Sequence, residues 1–168
     1  MTRVTIRPAV AGDAPRLHRA LESLSADLGD AHRADEADLL DAGFGAVASF
    51  RAVLAEPADA EGAPLLGVGV FSPVYSTKRG AAGVYVSDLW VAPAARSTGL
   101  GRRLLAASAA EAGRAWRARF LRLTAYDDNP AALAFYGRLG FEEPDRERHL
   151  ALEPEGFARL IRTEGDCR

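Results

Sequence analysis

Leu17, Leu21, Leu24 and Leu28 recur at helical spacing behind Asp13 and Pro15, a helix-opening pair, and predict an amphipathic helix whose leucine stripe is core. Before it, residues 4–8 read as a short strand. After it, residues 35–42 predict a short helix stopped by Gly43. The runs at 50–55 and 65–75 read as strands, separated by the Pro/Ala/Glu/Gly-rich loop 57–64. Lys78-Arg79-Gly80 marks a hairpin turn into a strand over 83–91. A helix follows over 99–117, then a strand over 120–125, an order that implies a right-handed crossover between parallel neighbouring strands. Asn129-Pro130 is a helix start, an N-cap residue followed by proline at the first helical position, and Gly140 ends that helix. A hairpin over 141–152 and a short amphipathic helix carrying Phe157, Leu160 and Ile161 complete the pattern.

The elements amount to an α/β (α+β) architecture. A chain of 168 residues that is 48% apolar suits a single domain over 1–168 with a core of its own. Twenty-one basic and 23 acidic side chains give a net charge of −2, which argues against nucleic acid as a partner. The longest uncharged run, 62–77, is broken by Pro64, Gly67, Gly69 and Pro73, so no membrane span is expected. The N-terminus reads as a strand, not a signal peptide. The single cysteine, Cys167, sits in a polar tail and has no internal partner, which points to a reducing, cytoplasmic setting. His18, His32 and His149 lack metal-ligand spacing, so no metal is expected.

The richest chemistry lies at 91–101, where an apolar strand ends at Pro93 and Arg96, Gly99 and Gly101 lead directly into a helix. The first N–H groups of a helix have no intrahelical partner and carry the positive end of its dipole, so such a turn can hold an anion largely by main chain. Glycine serves it twice, by reaching positive φ and by letting a ligand approach the backbone. A dinucleotide fingerprint would need a third glycine where Leu104 stands, and a P-loop would need Gly-Lys-Ser/Thr, which is absent.

Val91-x-Pro93-x-x-Arg96-x-x-Gly99-x-Gly101, followed about 30 residues later by Asn129-Pro130-Ala131-Ala132-Leu133-Ala134-Phe135-Tyr136-x-x-x-Gly140-Phe141, resembles the GNAT superfamily of acetyl-CoA-dependent N-acetyltransferases. The segments 6–9, 38–45 and 85–91 resemble, more narrowly, its diamine (spermidine/spermine) N-acetyltransferases. The resemblance implies a mixed central sheet of about six to seven strands, flanked by helices, with strands 4 and 5 splayed around acetyl-CoA. It also implies direct attack of a primary amine on the thioester, without an acyl-enzyme. The backbone of Leu89, Trp90 and Val91 would pair with the pantetheine arm. Arg96, Ser97, Thr98, Gly99, Leu100, Gly101 and Arg102 would hold the pyrophosphate, and Asn129, Ala132 and Tyr136 would meet the cofactor nearer the thioester. Tyr136 would be the general acid for the departing thiolate, phenol and thiol having ordinary pKa values of about 10 and 8.5. A homodimer is expected, with 155–162 as a candidate subunit contact.

The acceptor side departs from that pattern. A primary amine of pKa near 10.4 is only about one part in 2,500 neutral at pH 7, a handicap of roughly 4.6 kcal/mol. The polyamine enzymes carry a glutamate where this chain has Ser87, so a water relay through Ser87 is the expected route for the proton. Asp88 is adjacent, yet strand alternation would turn it to the opposite face. Asp27 with Thr124 and Ser87 are the candidate acceptor contacts, and Asp27, Asp30, Asp35 and Glu36 are candidates for an anionic entrance. The expected acceptor is a small cationic amine, a diamine, polyamine or lysine-like molecule. A protein amine is the alternative, and so is a non-catalytic acyl-CoA-binding regulator.

Overall fold

The computed structural model of the protein describes residues 3–60, 62–144 and 149–162. They divide into two compact units, Met1–Asn129 and Pro130–Arg168. In the first unit a five-stranded sheet runs in the order β1 (Val4–Pro8), β2 (Arg51–Pro57), β3 (Gly67–Ser76), β4 (Ala81–Val91) and β5 (Leu121–Leu123). Neighbours are antiparallel from β1 through β4, whereas β4 and β5 are parallel, as the strand–helix–strand order requires.

Helices α1 (Ala14–Leu28) and α2 (Glu36–Phe44) cover one face. Leu17, Leu21 and Leu39 pack there with Ala52, Leu54, Val68, Val70 and Trp90. Leu28, expected in the core, is 38% exposed, because α1 ends there and Gly29 turns the chain away at φ 75°. Asp35 caps α2 by accepting the Asp38 N–H. Gly43 does not stop that helix; a Cβ there would lie 2.6 Å from the ring of Phe50, so the glycine serves close packing instead.

Helix α3 (Leu100–Trp116) covers the other face, bringing Leu104 and Ser108 over Gly67 and Gly69. A Cβ at either glycine would come within 3 Å of those side chains.

The sheet's end is held by ions. Asp13, with its side chain 6% exposed, accepts both terminal nitrogens of Arg7 at 2.7 and 2.8 Å, and Glu56 receives Arg7 and Arg16. On the α3 face Glu111 receives Arg51 and Arg114. These guanidinium hydrogen bonds hold the Asp13, Glu56 and Glu111 carboxyls below their ordinary range. Each titrates lower in the folded protein than in the unfolded chain, so the contacts stabilise fully above about pH 4 and lose that contribution as pH falls through the folded values. Acid titration followed by circular dichroism should show stability level above that pH and dropping below it.

The described residues contain five strands where about six to seven are expected. None of residues 141–144 and 149–152 is in a strand, and the centre of the expected hairpin, 145–148, lies outside the described residues, as does Cys167. In the second unit, α4 (Pro130–Arg138) and α5 (Pro154–Arg162) form as anticipated. Gly140, at φ 86°, follows α4, and the Phe141 N–H returns to the Tyr136 carbonyl.

Candidate active site

Strand β4 keeps only a short ladder with β5: Val84, Tyr85 and Val86 pair with Leu121, Arg122 and Leu123. From Ser87 to Val91 the β4 backbone continues beside β3 but has left β5. This is the splay expected between strands 4 and 5. It leaves main-chain donors and acceptors of β4 open to an extended ligand arm.

The unpaired stretch runs straight into the turn. After a 3₁₀ turn over Pro93–Ala95, Ser97 adopts φ 62° and Gly99 φ 80°, and Gly99 is the N-cap of α3. Two positive φ values within three residues fold the backbone tightly beneath the N–H groups of Leu100, Gly101 and Arg102, the first-turn donors that a helix cannot pair internally. Leu100 is 2% exposed and offers only its backbone. The Thr98 hydroxyl donates to the Ala95 carbonyl at 2.7 Å and fixes the loop. Arg102 is exposed at the helix start, whereas Arg103 reaches the Val4 carbonyl at 3.0 Å and belongs to the fold.

Arg96 and Asp27 turn out to be partners. Arg96 donates through Nε to the Val91 carbonyl at 3.0 Å and through Nη2 to Asp27 Oδ2, and the same oxygen accepts the Trp90 indole N–H at 3.0 Å. The indole is buried and 8% exposed, so Trp90 offers a ligand only its main chain. Asp27 thus ties the end of α1 to β4 and the turn. A second tie, from the Tyr126 hydroxyl to Asp30 at 2.9 Å, joins the α1–α2 connection to the loop after β5 and raises the Tyr126 pKa. Nearby on β4, the Tyr85 hydroxyl donates to Thr124 Oγ1 at 3.2 Å. Neither Tyr126 nor the Trp90–Asp27 contact carries a sequence signal, since both depend on loops meeting over the sheet. Asp35 and Glu36 belong to the start of α2. His18 and His32 stack edge-on, 5.1 Å between ring centres, in a packing role.

At Ser87 the alternation of side chains fails. Phe71 pairs with Val86 and Val70 with Asp88, so Ser87 is the extra residue of a β-bulge. Its exposed hydroxyl donates to Asp88 Oδ2 at 2.6 Å and lies 3.4 Å from the Val70 carbonyl.

In the second unit, Tyr136 lies on α4, with its ring 5.1 Å from that of Phe135 and 5.4 Å from that of Phe141. Burial pushes the phenol above its ordinary value of 10 and keeps it protonated at neutral pH. Ala132 stands one turn earlier on the same helix, and the Asn129 N–H, just before it, donates to the Tyr126 carbonyl at 3.2 Å. Among the described residues no three His, Cys, Asp or Glu are grouped to hold a metal, and no helix is long and apolar enough to cross a membrane.

Comparison with known proteins supplies a family for this arrangement. Residues 17–141 match the acetyltransferase (GNAT) family, a span that includes both the turn and Tyr136. The chain is 30% identical over 173 residues to thialysine N-epsilon-acetyltransferase of Bos taurus, covering 99% of this chain and 96% of that protein. Among solved structures it is similar to an integron cassette protein of V. cholerae, with TM-score 0.74 at 23% identity over 96% of this chain and 98% of that one. It also superposes on an aminoglycoside N-acetyltransferase in complex with CoA, with TM-score 0.68 at 16% identity over 90% and 95% of the two chains. A sheet splayed after Val86, a glycine-capped helix behind it and a family match across both motifs lead to one conclusion: the chain belongs to the GNAT acetyltransferase family and is an acyltransferase.

Proposed function

We propose that the protein transfers an acetyl group from acetyl-CoA to the primary amine of a small cationic acceptor, thialysine-like, lysine-like, diamine or polyamine. The observation that carries this reading is the open β4 backbone after Val86 running into the turn capped by Gly99. The turn fits the group: backbone at positive φ, unpaired helix N–H groups and an exposed Arg102 suit a pyrophosphate, and the open strand edge suits an amide-bearing arm. Leu89, Trp90 and Val91 would hold that arm through main chain. Ser97, Thr98, Gly99, Leu100, Gly101 and Arg102 would hold the phosphates, with Arg96 as the side chain bracing the turn. Asn129 and Ala132 complete the cofactor contacts in this proposal. Bound there, acetyl-CoA supplies an acyl group already activated as a thioester.

Tyr136 is the proton donor to the leaving thiolate. Transfer from a phenol to a thiolate is uphill by at least about 1.5 pKa units, roughly 2 kcal/mol, which is feasible when coupled to bond cleavage. Ser87, Asp88 and Thr124 stand on the acceptor side, where Asp27 contributes negative charge shared with Arg96. The 30% identity to a thialysine acetyltransferase supports an amino group on a small molecule as the acceptor. The reading treats residues 1–168 as one catalytic domain in a cytoplasmic homodimer. The exposed Phe157, Leu160 and Ile161 on α5 support a subunit contact.

Replacing Gly101 by valine should weaken acetyl-CoA binding about tenfold by calorimetry with little change in melting temperature, since the added methyl groups crowd the phosphate path. Unchanged affinity would place the phosphates elsewhere. Thiol release from acetyl-CoA across a panel of amines tests the activity itself.

A further inference from the structure

Ser87 and Asp88 are more than neighbours in sequence. The bulge on β4 takes Ser87 out of register and exposes its hydroxyl, and the carboxylate of Asp88 accepts that hydroxyl's proton at 2.6 Å. A hydroxyl has one proton and two lone pairs. With the proton committed to Asp88, Ser87 Oγ offers only lone pairs outward, which makes it an acceptor for an N–H donor. No ion pair neutralises Asp88 among the described residues. Asp27, on α1, is engaged by Arg96 and Trp90, and the phenol of Tyr85, two residues before Ser87 on β4, donates to Thr124.

We infer that Ser87 and Asp88 form a two-residue proton relay, in which Asp88 is the general base and Ser87 is the group that touches the acceptor amine. The inference rests on the acetyltransferase reading and names the base for that same site. In the step, the acceptor ammonium gives a proton to Ser87 Oγ as Ser87 passes its own proton to Asp88 Oδ2. The freed nitrogen lone pair forms the N–C bond at the thioester carbonyl, the C–S bond breaks with its electron pair leaving on sulfur, and Tyr136 protonates that thiolate. The acylated nitrogen sheds its remaining excess proton to water. Asp88 then releases its proton to water and Tyr136 regains one from water, so charge and protons balance over the cycle with solvent as the only exchange partner. The relay also selects for cationic acceptors, because a carboxylate behind a lone-pair donor stabilises an incoming ammonium.

The test compares kcat/KM against pH in the wild type, Asp88→Asn, Ser87→Ala and Ser87→Glu combined with Asp88→Asn, using the amines of the panel with calorimetric acetyl-CoA affinity as the control. With the base present, the ammonium is the reacting form and the wild-type profile is flat between about pH 7 and 9. Without it only neutral amine reacts, so Asp88→Asn falls about 10²-fold at pH 7 and recovers about tenfold per pH unit. Ser87→Ala loses about tenfold, since a water can occupy the gap. Ser87→Glu in the Asp88→Asn background returns a carboxylate directly to the acceptor and restores the flat profile. A flat Asp88→Asn profile at wild-type rate overturns the relay. So does a loss that glutamate at position 87 does not recover, or a loss of acetyl-CoA affinity in Asp88→Asn, which would make Asp88 structural. Absence of thiol release by the wild type on every amine overturns the acetyltransferase reading itself, whereas an active wild type with unaltered variants overturns the relay alone.

Discussion

Tyr136→Phe is expected to lower kcat about 10³-fold while leaving acetyl-CoA affinity within about twofold, because the lost hydroxyl acts on the leaving group and not on binding. The substitution keeps the ring contacts with Phe135 and Phe141, so the second unit should fold unchanged. The half-buried phenol, with its raised pKa, is protonated throughout the neutral range, and the wild type should show no loss of acid function until strongly alkaline pH. A substrate with a better leaving group needs less help from an acid. A thioester of a more acidic thiol should therefore recover part of the Tyr136→Phe deficit, while an equal deficit with both thioesters would point to packing. Steady-state kinetics with calorimetric acetyl-CoA titration separates the two.

The second large effect concerns the fold. Asp13→Ala should destabilise the protein by about 3 kcal/mol, the low end of the cost of breaking a buried ion pair. Asp13 is almost fully enclosed and also accepts the Val10 N–H at 2.9 Å, so the substitution leaves that amide and the Arg7 guanidinium without their partner. Arg7 is one-third exposed and keeps Glu56, which limits the loss. For a chain of this size the cost corresponds to a fall in melting temperature of about 6–12 °C. Thermal unfolding by circular dichroism measures it, and a shift under 2 °C would show that Arg7 and Arg16 regroup on Glu56.

Most of the element order is legible in the sequence because it rests on local signals: the leucine spacing of α1, the Asn129-Pro130 start and the glycines around α3. The chemistry of the turn is legible for the same reason, since Gly99 and Gly101 and the following helix are contiguous. What escapes is non-local. Asp27 reads from the sequence as an acceptor contact at an anionic entrance, and only the docking of α1 on β4 shows that Trp90 and Arg96 claim it. Tyr126 carries no pattern at all, and its bond to Asp30 spans 96 positions. The bulge at Ser87 is invisible because Val-Ser-Asp alternates no differently from an ordinary strand; only the register with Val70 and Phe71 reveals the extra residue. Gly43 misleads in the other direction, a helix stop by composition and a packing surface for Phe50 in fact.

The central claim is acetyl transfer to a small amine, and its most direct test is release of free CoA thiol from acetyl-CoA with thialysine, lysine, diamines, polyamines and peptides offered in parallel, the products identified by mass spectrometry. The account predicts thiol release dependent on a small cationic amine, matched mole for mole by a product acetylated on its primary nitrogen. Acetyl-CoA binding without thiol release on any amine, or release only with peptides, would contradict it.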